Sequence, residues 1–148
     1  ILDVWENEPD IDLELLGQTY ISTPHIAGYS IDGKAMGTSR AVQALSQFFG
    51  LPLHDFYPSA LPGPQVSEFT IEGAGKTTFQ VVYEAVVHTY PIMNDHSLLQ
   101  LYSATFEQQR GQYPVRREFT SYTVKLYNAM PEVARMLSEL GFRVQNVG

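Results

Sequence analysis

Between residues 51 and 64 the chain reads Leu-Pro-Leu-His-Asp-Phe-Tyr-Pro-Ser-Ala-Leu-Pro-Gly-Pro, and four of its nine prolines fall in this one stretch. Proline has no amide hydrogen to give a helix or a central strand, and it pushes the preceding residue out of the helical region. The stretch therefore reads as an extended linker without regular structure, which divides the chain into residues 1–50 and residues 65–148. With 148 residues, 44 % of them hydrophobic and 17 % charged, there is material for a real core on either side, and disorder is excluded for the bulk of the chain.

The first part opens Ile1-Leu2-Asp3-Val4-Trp5, without Met and without a cap. Residues 1–4 read as the end of a buried strand, and the abrupt opening suggests a fragment. Glu8-Pro9-Asp10 leads into a short helix, Ile11 to Leu16, that Gly17 can terminate. Thr19 to Ser22 is a second short strand, stopped by Pro24. A helix over 31–49 follows: Ser30 is a good N-cap, Asp32 sits in the first turn, and Gly50 and Pro52 close it. Its apolar stripe comprises Ile31, Ala35, Thr38, Val42, Leu45 and Phe49.

After the linker, Val66–Ile71 alternates as a strand with Phe69 and Ile71 on one face. Thr77 or Thr78 caps a helix to about Thr89, with Phe79, Val82 and Val86 turned inward and Pro91 closing it. A further helical stretch runs from Asp95 through Phe106 to Arg110-Gly111. Phe119–Tyr127 is rich in β-formers. Pro131 starts a helix to Leu140 that Gly141 caps, and Phe142–Val147 is a closing strand. This second part reads as a small α+β domain.

Several function classes drop out. With 16 acidic against 9 basic side chains and a net charge of −7, sequence-independent nucleic-acid binding is excluded. No apolar run approaches the roughly 20 residues of a membrane helix, and the opening residues lack the pattern of a secretory leader. With no cysteine, disulfides, thiolate catalysis and cysteine-based zinc sites are absent. Glu72-Gly73-Ala74-Gly75-Lys76-Thr77 looks like the end of a phosphate-binding loop, but Thr70 stands where its first glycine belongs, so a tight strand-to-helix turn is expected. His54, His88 and His96 show no metal-ligand spacing, and no metal site is expected. Arg110, Arg116 and Arg117 form the one basic cluster; it is a solvated surface group or a grip on a phosphate.

The remaining constellation is Glu8 with His25. A carboxylate beside an imidazole fixes its tautomer and stabilises its conjugate acid, which is what an acid–base catalyst near neutral pH needs. His25 lies in the loop Thr23-Pro24-His25-Ile26-Ala27-Gly28-Tyr29, just before the helix at residue 31. From spacing alone, a surface histidine before a helix and an exposed glutamate in an acidic patch are the favoured reading.

Leu2-Asp3-Val4-Trp5, Glu8-Pro9 and Thr23-Pro24-His25-Ile26-Ala27-Gly28, taken together, resemble the D-isomer-specific 2-hydroxyacid dehydrogenases over about the first 50 residues. The continuation Tyr29-Ser30, Asp32-Gly33-Lys34-Ala35 and Gly37-Thr38 is similar to members that act on a phosphorylated 2-hydroxy acid and carry an extra C-terminal dimerisation domain, and the remainder of the chain is a looser match to that domain. The resemblance implies an α/β fragment, the end of a Rossmann-type NAD-binding domain with its closing helix (1–50), then the linker (51–64), then an α+β dimerisation domain (65–148). It implies a cytoplasmic, homodimeric, NAD-dependent enzyme whose catalytic residues are His25 and Glu8. Asp3 and Gly28 would contact the cofactor, and Tyr29 the substrate. The family's GxGxxG loop, its substrate-gripping arginine and its N-terminal substrate domain are missing from this sequence, so the chain by itself is expected neither to hold NAD properly nor to turn over. Two other readings stay open: a stand-alone dimeric interaction or small-ligand module, suited by 12 % aromatic residues, and a 2-hydroxyacid dehydrogenase of other specificity.

Overall fold

Local hydrogen-bonding rules account for the starts of the first two helices in the computed structural model, which describes residues 1–147. Asp12 caps α1 (Leu13–Gln18), its Oδ1 accepting the amides of Glu14 and Leu15 at 2.8 and 3.1 Å. The helix starts two residues later than its apolar pattern suggests, and Gly17 lies inside it, Thr19 being the C-cap. The Ser30 hydroxyl accepts the Gly33 amide at 2.9 Å and opens α2 (Ile31–Phe49). Gly50 closes α2 at φ +65°. Residues 51–64 carry neither helix nor strand.

The chain forms two units, each interrupted in sequence. The first comprises Ile1–Ala27 and Val86–Pro114. The expected strands at 1–4 and 19–22 reduce to a single parallel bridge between Leu2 and Ser22. It is flanked by Leu2 N–H to Ile21 O and Thr23 N–H to Leu2 O, both 3.0 Å. The expected helical stretch from Asp95 to Gly111 begins earlier and is broken into α4 (Ile92–Leu101), a 3-10 turn at Ser103–Thr105 and α5 (Phe106–Gly111). Trp5, Ile11, Leu16, Leu99 and Phe106 form this unit's core.

The second unit comprises Gly28–Ala85 and Val115–Gly148. Strands β1 (Glu68–Glu72), β2 (Thr123–Tyr127) and β3 (Arg143–Asn146) lie side by side in that order, both pairings parallel, with Ile71 opposite Leu126 and Val124 opposite Val144. A parallel sheet with helices between its strands is an α/β arrangement, where the alternation of elements had suggested α+β. The Phe119–Tyr127 run divides into a 3-10 turn, Phe119–Ser121, and β2. Helix α6 (Pro131–Glu139) joins β2 to β3 with Pro131 at its first position. Ile71, Val81, Ala85, Val124, Leu126, Val133 and Leu137 make the core.

Two helices are turned differently from their apolar stripes. On α2 the buried positions are Ala35, Ser39 and Ser46, whereas Leu45 and Phe49 are exposed. Small side chains allow close approach, and the serines satisfy their own hydroxyls: Ser39 donates to Ala35 O and Ser46 to Leu51 O, at 2.7 and 2.6 Å. On α3 (Thr78–Thr89) the buried line is Val81, Ala85 and Thr89, with Phe79 turned out. Among the described residues no helix is long and apolar enough to cross a membrane.

Candidate functional site

In the first unit the side chains of Asp3, Glu8 and His25 converge on one turn. His25 Nδ1 lies 2.8 Å from Glu8 Oε2, and Glu8 Oε1 accepts the Trp5 amide at 2.8 Å. Burial by itself would raise the Glu8 carboxyl. The hydrogen bonds from His25 and Trp5 and the positive charges of His25 and Arg110 outweigh it and hold Glu8 below the ordinary value. An ionised carboxylate can only accept, so the Nδ1 hydrogen points at Glu8 and Nε2 is the ring nitrogen outside the pair. The His25 side chain is 39 % exposed and that of Glu8 17 %. The pair thus presents a basic nitrogen at an accessible surface and keeps its carboxylate behind it.

Asp3 works on the backbone of the same turn. Its Oδ1 accepts the Thr23 hydroxyl at 2.6 Å and the Ile26 amide at 2.8 Å, its Oδ2 accepts the Ala27 amide at 2.9 Å, and its carbonyl accepts the His25 amide at 2.8 Å. Burial pushes Asp3 upward, and these donors together with the His25 charge pull it below the ordinary carboxylate value. The Trp5 indole donates to Thr23 O at 2.9 Å, and Arg110 Nε to His25 O at 3.3 Å. Thr23, Trp5 and Arg110 are therefore parts of the site that the sequence did not reveal as such. Thr23 and Trp5 border the motif residues, but nothing local points from Arg110 to a histidine 85 positions away.

Gly28 and Tyr29 belong to the second unit. Gly28 adopts φ +76° and would meet nothing within 4 Å on gaining a Cβ, so its backbone angle is what calls for glycine. Lys34 Nζ stands 4.1 Å above the Tyr29 ring. In the same unit Arg117 is taken up by Asp32: Nε to Oδ2 at 2.8 Å, Nη2 to Oδ1 at 2.9 Å, with Nη1 donating to Pro62 O. This fork, before burial and the Glu118 amide, sets the depressed Asp32 carboxyl. The Glu72–Thr77 segment is a tight turn. Gly75 has φ +72°, Lys76 pairs with Glu84 at 2.6 Å, and a Cβ on Gly73 would stand 2.7 Å from Ala129 Cα. His54 and His88 are exposed, but His96 is no solvated histidine: its Nδ1 meets the Ser22 amide at 3.1 Å and hydroxyl at 2.9 Å. Among the described residues no group of three or more acidic or histidine side chains is placed to hold a metal ion.

Residues 60–141 match the family model described as a domain of unknown function (DUF3410). The chain belongs to this family. It is also similar, over nearly its whole length, to proteins named erythronate-4-phosphate dehydrogenase, and it matches their C-terminal portion. The protein of that name from Proteus mirabilis (strain HI4320) is 38 % identical over 146 residues, which cover 96 % of this chain and 38 % of the relative. The Edwardsiella ictaluri (strain 93-146) protein is 39 % identical with the same coverage. The Pseudomonas putida (strain F1) protein is 34 % identical over 148 residues, or 95 % and 39 %. The chain thus spans well under half the length of the curated relatives it matches.

Proposed function

We propose that this DUF3410 chain is the C-terminal portion of an erythronate-4-phosphate dehydrogenase that oxidises the 2-hydroxyl of 4-phospho-D-erythronate to the ketone with NAD, in the cytoplasmic route to pyridoxal phosphate. The observation that carries the reading is the His25–Glu8 pair at 2.8 Å, made through Nδ1 so that Nε2 stays outside it. In the forward direction Nε2 takes the proton of the substrate 2-hydroxyl while the C2 hydrogen departs with its electron pair. Glu8, already ionised, stabilises the imidazolium that results. Bound NAD would supply the acceptor for that hydride. Asp3 Oδ2 accepts the Ala27 amide, and a carboxylate oxygen has capacity for a second donor, here one from the nicotinamide end.

Gly28 as a cofactor residue and Tyr29 as a substrate residue are carried over from their places in the motif. Residues 65–148 are proposed as the dimerisation domain behind the linker 51–64, and residues 1–50 as the end of the NAD-binding domain. Because the GxGxxG loop lies outside this sequence, the chain alone is proposed to be inactive.

The test is NAD reduction by the complete enzyme with 4-phospho-D-erythronate. Turnover is expected in the parent and its loss in His25→Asn. Turnover that survives in the variant would take His25 out of the mechanism.

A further inference from the structure

His25 stands at φ +54°, in the left-handed region that few non-glycine residues occupy, though histidine enters it more readily than most. What surrounds it is traceable. The amides on either side of the turn's apex end on Asp3: His25 N–H on its carbonyl, Ile26 N–H on Oδ1 and Ala27 N–H on Oδ2. The Ile26 and Ala27 amides sit on the two oxygens of one carboxylate, and its remaining freedom to tilt and slide is limited by a third donor: the Thr23 hydroxyl on the same Oδ1 at 2.6 Å, the shortest of these bonds. Thr23 is itself fixed at three points, since its amide donates to Leu2 O and its carbonyl accepts the Trp5 indole, and it is 4 % exposed. Trp5 in turn holds Glu8 through its amide.

We propose that Thr23, acting through the carboxylate of Asp3, is a positioning residue that locks the left-handed backbone of His25 and so aims the imidazole against Glu8 and the substrate hydroxyl. This deepens the reading of His25 as proton acceptor and rests on it. Thr23 is buried and its hydroxyl donates to Asp3, so it acts through that carboxylate. The hydroxyl steadies the carboxylate, the carboxylate holds the two amides after His25, and the amides hold the turn.

The experiment compares Thr23→Val, which keeps the shape and removes the donor, with Thr23→Ser, which keeps the donor and removes a methyl, both in the complete enzyme. In Thr23→Val, kcat is expected to fall about 10–100-fold per folded molecule, with KM for NAD and for 4-phospho-D-erythronate within about twofold of the parent. Thr23→Ser should recover most of the loss. The NH–Hα coupling of His25 should leave its left-handed value in Thr23→Val and return to it in Thr23→Ser. Full kcat per folded molecule in Thr23→Val, an unchanged coupling, or equal damage in both variants would each overturn the proposal. If Thr23→Val does not fold, Thr23→Ala replaces it, with the same coupling as the readout. Loss of turnover without a change in KM would support positioning, and a raised KM for NAD at full kcat would overturn it. If His25→Asn remains active the proton-acceptor reading fails alone, because the coupling still reports whether Thr23 holds the turn.

Discussion

Each unit of the molecule invests a shielded carboxylate in a partner of opposite charge, and the two outcomes differ. In the second unit Asp32 receives a two-pronged guanidinium from Arg117 and an amide from Glu118, with side-chain exposures of 19 and 15 % for the acid and the base. Both partners are used up, so the pair holds residues 85 apart in sequence and has nothing left to offer a ligand. In the first unit Glu8 is shielded equally well, but its partner is a half-open imidazole with one nitrogen uncommitted to the pair. A saturated pair serves the fold, and one left open on the side of a titratable nitrogen can serve chemistry.

The comparison breaks most readily at His25. His25→Asn keeps a ring-sized polar group but no base, and turnover of the complete enzyme should fall by about 10²–10⁴-fold with unfolding unchanged, measured by initial rates and thermal denaturation. Glu8→Gln removes the charge behind the imidazole; a loss of about 10–100-fold in kcat is expected.

Arg117→Ala should act on the other side of the comparison. It leaves the shielded Asp32 carboxylate with the Glu118 amide but no cation and frees Pro62 O, at a cost of about 2 kcal/mol in stability by chemical denaturation. KM for the phosphorylated substrate should stay the same. A rise in KM with stability intact would mean that Arg117 serves the substrate and would erase the contrast between the units.

Acid should affect the first unit through two carboxylates, Asp3 and Glu8, and the second through Asp32, all of them held below their ordinary values. A depressed carboxyl binds its proton more weakly in the folded chain than in the unfolded one. Its contribution is therefore complete at neutral pH, starts to fall as pH enters the ordinary carboxylate range near 4, and is lost as pH drops through the depressed folded value. Trp5 is the sole tryptophan and donates its indole to Thr23, so its fluorescence should report the loosening of the first unit in that window. The smallest effect is expected from Gly37→Ala on α2, where an added Cβ meets nothing within 4 Å: a gain of about 1 kcal/mol with both pairs untouched.

Much of this could be read in advance where the causes are local. Both ends of α2 follow from Ser30 and Gly50, residues that act on amides and carbonyls within one helical turn. The strand face carrying Phe69 and Ile71 follows from the two-residue repeat, and the turn at Gly73–Gly75 from glycine chemistry. The pairing of Glu8 with His25 was legible because the motif residues lie 17 positions apart in a recognisable pattern. The clasp of Arg117 on Asp32 was not, since an arginine beside a turn looks the same whether it faces water or a partner. His96 bonded to Ser22 escaped for the same reason, at a separation of 74 residues.

The sequence by itself determined both ends of α2, the lack of regular structure through residues 51–64, and which acid and imidazole stand together, because caps, prolines and motif residues act over a few bonds. Only the tertiary structure decided that the strands run parallel, that α2 buries serines and leaves Phe49 exposed, and that Asp3 and Thr23 hold the His25 turn. Those outcomes depend on which surfaces meet across long stretches of chain, and packing there selects for shape and satisfied hydrogen bonds over hydrophobicity alone.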